Sequence, residues 1–195
     1  VDILTPHGFW KQGPQGWTWN PEWKLGAAGI GILVRDVDGD GRADVVWGMG
    51  HDYGLFWLRQ DRTSDGGRSW TRATIDTSVS QVHALRWVDL DGHGVPALVT
   101  GKRIYAHEVE PGATDAPEIA AYRYDRGAGV WRKQVLARGE PPTAAPPTAE
   151  ARDALRDFPA GSVGTGLAIE AADLDGDGDL DLVCPGKTGL HWLEN

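Results

Sequence analysis

The chain lacks several features that usually anchor a functional assignment. It has one cysteine, Cys184, so no internal disulfide can form. No apolar run approaches the length of a membrane-spanning helix. Its 19 lysines and arginines are outnumbered by 28 aspartates and glutamates and form no basic stripe, which argues against a nucleic-acid partner. There is no nucleophile elbow, Cys184 lies in an apolar run without an obvious partner, and no glycine-rich loop has phosphate-binding spacing. No secretory leader opens the sequence and it does not begin with Met, so it reads as a mature or excised product. At 195 residues it suits one domain or a piece of one.

What the chain does have is acidic loops. Asp36, Asp38, Asp40 and Asp44 stand at positions 1, 3, 5 and 9 of one run, and Asp173, Asp175, Asp177 and Asp181 at the same positions of a second, with glycines at positions 4 and 6 of both. Carboxylates at this spacing on a tightly turning backbone suit a hard cation such as Ca²⁺. An EF-hand would continue to a Glu at position 12, but here that position is Trp47 or Cys184, so Asp44 and Asp181 are expected to close the cage. The alternative is an unmetallated acidic turn. The flanks are short apolar runs ending in glycine, which places both loops in β-hairpins. Nine carboxylates lie in these runs, and two bound Ca²⁺ would bring the formal charge from −9 to −5. A site tuned to millimolar Ca²⁺ suggests an extracellular or periplasmic home.

The loop position recurs at Asp36, Asp89 and Asp173, spaced by 53 and 84 residues, the second gap being longer by an insertion of 31. An apolar strand precedes each loop: 30–34, 82–88 and 166–171. After each come a strand ending in a small-residue turn, an aromatic strand, and in the first two units a strand opened by Trp70 or Trp131. Four antiparallel strands repeated in series every ~50 residues define β-propeller blades. The fold expected is therefore an all-β propeller of four-stranded antiparallel blades, about 3.5 of them in this chain. The ten tryptophans are then mainly packing between neighbouring blades.

The boundaries that follow are a partial blade at 1–25, blades at 26–78 and 79–138, a Pro-rich insertion at 139–164 with a short helix over 148–158, and a partial blade at 165–195. Complete rings usually need roughly 4 to 8 blades. The chain is thus expected either to pair as a homodimer of half-rings or to join the remaining blades of a longer chain. The middle loop, with His93 at position 5 and Ala97 at position 9, is expected to bind metal poorly.

Blade topology sorts the polar residues by rim. Loops joining first to second strands carry the acidic runs. The opposite rim collects His7, His51, Asp52, Tyr53, Lys102, Arg103, Tyr105, His107, Glu108 and Lys187, with His83 near the central channel, and both long insertions emerge there. Long loops on a rigid scaffold are where binding and catalysis concentrate. Any one rim histidine is readily explained as a solvated or packing residue. Convergence of His7, His51, His83 and His107 is what a site would require.

The loops, the segment Gly26–Gly31 and the closing Gly-Leu-x-Trp-Leu-Glu-Asn resemble FG-GAP/VCBS repeats of calcium-binding β-propellers, the repeat type also found in integrin alpha heads. More narrowly, Gly50–Leu58 and Gly101–His107 resemble the propeller part of aldos-2-ulose dehydratase-type lyases, which act on keto-sugars and carry metal-binding cupin domains that this chain lacks. That resemblance implies a carbohydrate or other small polar ligand and a carbohydrate lyase (dehydratase) activity. Catalysis would rest on His51, Tyr53, His83, Lys102 and His107: a histidine removes a proton beside a carbonyl, and Tyr53 or Lys102 polarises oxygen or protonates a leaving hydroxyl. The alternatives are a non-catalytic module presenting the rim to a glycan or protein, and a structural ring segment that docks other domains.

Overall fold

The computed structural model describes residues 2–26, 28–104, 111–141 and 163–195. Among them are fourteen strands in four antiparallel sheets, and no helix. The first sheet is β1 (Ile3–Thr5), β2 (Gly8–Gly13) and β3 (Gly16–Asn20). The second holds β4 (Ala28–Arg35), β5 (Asp44–Met49), β6 (Tyr53–Arg62) and β7 (Arg68–Ser80). The third holds β8 (Val82–Val88), β9 (Ala97–Lys102), β10 (Glu118–Asp125) and β11 (Val130–Arg138), and the last β12 (Glu170–Ala172), β13 (Asp181–Gly186) and β14 (Gly189–Leu193). Each sheet is an up-and-down meander in chain order, the build of a propeller blade.

Period-2 alternation explains why the inner strands read as continuous apolar runs. In β5, Val45 and Trp47 face the first sheet, joining Phe9, Trp23 and Leu25, while Val46 faces the third and joins Val82, Leu98 and Tyr122. In β10, Ile119 and Ala121 pack towards Leu182 and Cys184 of the last sheet, whereas Ala120 and Tyr122 pack back towards the second. Three apolar clusters therefore fill the three junctions between consecutive sheets. Two-sided burial, not alternation of apolar and polar residues, is the pattern to expect of such strands.

Most tryptophans sit at these junctions. Trp23 stacks on Phe9 and meets Trp70 edge-on at 5.0 Å across the first junction, and Trp57 meets Tyr124 and Trp131 across the second. Trp10, Trp17 and Trp192, exposed on the first and last sheets, and Trp19, which packs against Trp10 within the first sheet, are exceptions.

One strand departs from expectation. The sequence predicts a full first strand of the last sheet over 166–171, but β12 spans only Glu170–Ala172. The chain before it is drawn to the neighbouring sheet: the Thr165 amide donates to Lys102 O at 3.1 Å and its hydroxyl to Gly101 O at 2.9 Å, with a parallel bridge to Arg103. The expected helix over 148–158 lies outside the described residues.

Candidate functional site

The acidic runs form the β4–β5 and β12–β13 turns, at one end of the strands. In both, the position-1 carboxylate gathers the loop's amides. Asp36 accepts from Gly39 at 2.8 Å and Gly41 at 3.0 Å, and Asp173 from Gly176 at 2.7 Å and Gly178 at 3.2 Å. Both turns need glycines with positive φ (79° and 82° at Gly39 and Gly41, 84° and 101° at Gly176 and Gly178), a backbone region costly for other residues. The result brings carboxylate oxygens of Asp36, Asp38 and Asp40 within 4.8 Å of one another, and likewise those of Asp173, Asp175 and Asp177.

Asp44 and Asp181 lie outside these trios. Each is buried and uses both oxygens on backbone amides: Asp44 accepts from Val37 at 3.2 Å and Gln60 at 2.8 Å, Asp181 from Leu174 at 3.0 Å and Asn195 at 3.1 Å. The ninth carboxylate therefore staples its loop to the chain at the end of the third strand. Burial raises the Asp44 pKa, opposed by these hydrogen bonds.

The donor set suits a hard divalent cation. In the second loop Asp179 Oδ1 is buried without a hydrogen-bond partner, and burial together with Asp177, Asp181 and Asp175 raises the Asp179 pKa. A nearby cation would relieve both the orphaned oxygen and the crowding. In the first loop position 7 is Arg42, which pairs with Asp40. In the middle loop Asp91 pairs with Arg123 at 3.1 Å.

The other rim carries the β5–β6 turn, the β7–β8 junction and the β9–β10 connection. His51 and His83 stack there with ring centroids 6.0 Å apart, His51 exposed and His83 buried. His83 Nδ1 lies 2.9 Å from Gln81 O. A carbonyl oxygen only accepts, so Nδ1 carries the proton, and Nε2 is the basic nitrogen of the neutral ring. Gln81 is fully buried and stands at φ 54°, the one positive value at a non-glycine among the described residues. Such strain persists only where the surroundings enforce it. Here the Gln81 amide donates to Asp52 O, and its carbonyl accepts from the Arg103 amide.

Strand β9 delivers Lys102 to the same place. It is 2% exposed, and its Nζ donates to Gln81 Oε1 at 3.3 Å and Ala113 O at 3.5 Å. Burial pushes its pKa down to about 8, against the pull of the Asp115 charge. Asp115 also accepts from Ser80 at 3.0 Å, and its hydrogen bond with Tyr53 is the main cause of a raised phenol pKa. A pocket of about 430 Å³, whose wall includes Ser80, Lys102, Asp115, Glu118 and Arg138, opens at this junction of the second and third sheets.

Of the five residues expected to carry chemistry, His51, Tyr53, His83 and Lys102 thus fall in one neighbourhood, and His107, with Tyr105 and Glu108, lies outside the described residues. His7 and Lys187 occupy the β1–β2 and β13–β14 turns, on the two sheets that do not build the cluster. Sequence reasoning missed Ser80, Gln81 and Asp115. Nothing in the local pattern distinguishes Gln81, whose backbone is forced by its neighbours. Asp115 could have been singled out as a carboxylate in an insertion already assigned to this rim.

Residues 36–100 match the family model of the FG-GAP-like repeat. The matched span runs from the first acidic loop into β9 and supports the FG-GAP propeller family. With four antiparallel sheets in series, it defines an all-β propeller module. No curated protein matches the chain.

Proposed function

We propose that this is a calcium-stabilised propeller module of a sugar-active protein, whose rim opposite the acidic loops performs acid–base elimination on a keto-sugar. The observation that carries the rim assignment is the stacked His51–His83 pair beside a buried lysine. His83 Nε2 takes the proton beside the ligand carbonyl. Tyr53 or Lys102 polarises that carbonyl or protonates the departing hydroxyl, and Ser80 and Asp115 orient the donors. His107 belongs to the same proposed site. The narrower resemblance to keto-sugar lyases supports this chemistry over other acid–base reactions.

For the metal, Asp36, Asp38 and Asp40 would hold one Ca²⁺ and Asp173, Asp175 and Asp177 another, with Asp44 and Asp181 holding each loop in place through backbone amides. Bound Ca²⁺ would neutralise the crowded carboxylates and stiffen the rim; it takes no part in the elimination. Dependence on millimolar Ca²⁺ favours an extracellular or periplasmic location.

Two measurements test these assignments. Millimolar Ca²⁺ should raise the melting temperature, with a stabilisation of about 1–3 kcal/mol. Asp38→Ala and Asp175→Ala should each remove part of that gain, and equal melting in Ca²⁺ and in chelator would remove calcium from the account. For the rim, formation of an unsaturated carbonyl from a 2-keto-hexose is followed by absorbance, and His83→Gln should slow it by about 10²–10⁴-fold. Tyr53 is 39% exposed beside the pocket residue Asp115, an arrangement that would also suit sugar stacking. Saturable sugar binding without turnover would identify a non-catalytic glycan-binding module instead.

A further inference from the structure

Lys102 is buried without a direct ion pair among the described residues, although the Asp115 carboxylate in the same pocket attracts it. It is among the largest fully buried side chains. Among the described residues it makes no ion pair, and the acceptors of its Nζ are two neutral oxygens, Gln81 Oε1 and Ala113 O. A buried ammonium is ordinarily paired with a carboxylate, because its desolvation is otherwise uncompensated. The chain has other lysines, and the contrast is sharp: Lys133 pairs with Asp76 at 2.9 Å and Glu118 at 2.6 Å, while Lys11, Lys24 and Lys187 are exposed. Lys102 instead forms part of the wall of the 430 Å³ pocket, held by a glutamine in a strained backbone conformation. An unpaired amine in a partly desolvated pocket is the arrangement that makes lysine a nucleophile towards carbonyls.

We infer that Lys102 forms an imine with the carbonyl of its ligand, so that the rim site works by covalent capture of a ketone or aldehyde. This rests on the assignment of a carbonyl-bearing sugar to the site. The neutral Nζ attacks the carbonyl carbon, a C–N bond forms and the C=O π pair moves to oxygen. One proton passes from nitrogen to that oxygen, giving a carbinolamine. Its hydroxyl takes one proton from solvent and leaves as water, and the nitrogen lone pair closes the C=N⁺ bond. The net change is ketone plus amine plus proton to iminium plus water, with no oxidant or reductant. The iminium then draws electrons from the adjacent carbon more strongly than the carbonyl did, easing proton removal by a neighbouring histidine. A pKa near 8 agrees with this role, since it leaves a substantial neutral fraction at neutral pH.

The test is reductive trapping of the 195-residue chain with dihydroxyacetone and cyanoborohydride, followed by peptide mass mapping. Lys102 should carry the reduced adduct and should label about tenfold faster than Lys11 or Lys24, whose amines are ordinary exposed ones. Lys102 left unmodified, or modified no faster than those two, overturns the inference. Lys102→Met, matched in length and checked for an unchanged melting profile, should abolish turnover of a 2-keto-hexose. Turnover surviving in Lys102→Met overturns covalent capture while leaving the acid–base site intact. Trapping at Lys102 in a chain that never eliminates supports the amine and sinks the elimination.

Discussion

At the scale of single residues, one carboxylate ties the second and third sheets together. Asp76 Oδ1 accepts from the Ser78 amide and hydroxyl, both at 2.7 Å, and Oδ2 accepts from Tyr122 at 2.7 Å and Lys133 at 2.9 Å. Burial alone would raise its pKa, but these donors outweigh it and bring the carboxyl from 3.8 down to about 2. A carboxylate whose folded pKa is depressed stabilises the fold above its unfolded pKa and loses that contribution as pH falls through the folded value. Asp76 should therefore contribute about 2 kcal/mol at neutral pH, lost between about pH 4 and pH 2. Urea unfolding of wild type and Asp76→Asn checks this. Their stability difference should be largest at neutral pH and shrink across that window, and a difference independent of pH would mean that the network does not depend on the charge. Ser78 and Glu118 also line the rim pocket, so the same network braces one of its walls.

At the scale of the element, β5, β9 and β13 each carry a glycine at or next to their last residue because another segment of chain passes close there. A Cβ on Gly48 would lie 2.2 Å from Val82 Cγ1; on Gly101, 2.4 Å from Glu118 O and 2.7 Å from Thr165 Cγ2; on Gly186, 2.9 Å from Gly164 O. Gly101→Ala should thus cost about 3 kcal/mol, since backbone must move. Gly41→Ala, with φ +82° but nothing within 4 Å, should cost only about 1 kcal/mol. Comparable costs at the two positions, measured by urea unfolding, would show that conformation and not contact sets the glycine pattern. The recurrence of these glycines, with the acidic loops and the apolar runs around them, makes the blades legible in the sequence. Period and turn chemistry are local, so the strand order and the rim on which each loop lies could be written down from spacing. What could not be read was non-local. The pull of Lys102 and Gly101 on Thr165 shortens β12, and the strain at Gln81 arises from contacts with Asp52 and with the adjacent pair Lys102 and Arg103, two segments distant in sequence from one another. The carboxylate spacing assigned all four loop aspartates one common role, whereas the fold gives Asp44 and Asp181 backbone amides to hold.

At the scale of the whole molecule, the sheets differ in how much each is covered. The second and third have an apolar cluster on both faces, and the first and last on one. The last sheet also exposes Leu190 and Trp192, and the first exposes Ile3, Trp10 and Trp17. Stability in a stacked array is the sum of unit terms and neighbour interfaces, so units with one interface open more easily than units with two. Amide exchange should accordingly be slowest in β5 and β9, with β2 and β14 opening at a free energy lower by about 2 kcal/mol or more. Calcium adds a second contrast. The acidic loop at 173–181 belongs to the last sheet, whereas no such loop lies in the described part of the first, so Ca²⁺ should slow exchange in β13 and β14 and leave β2 unchanged. Protection of β2 and β14 that grows with protein concentration would mean that copies pair through the outer sheets to extend the ring. Equal protection of all four sheets in a monomer, with no response to Ca²⁺, would contradict both the stacked-blade energetics and the metal assignment, because it would require the outer sheets to draw stability from something other than their single interface and, for the last, its acidic loop.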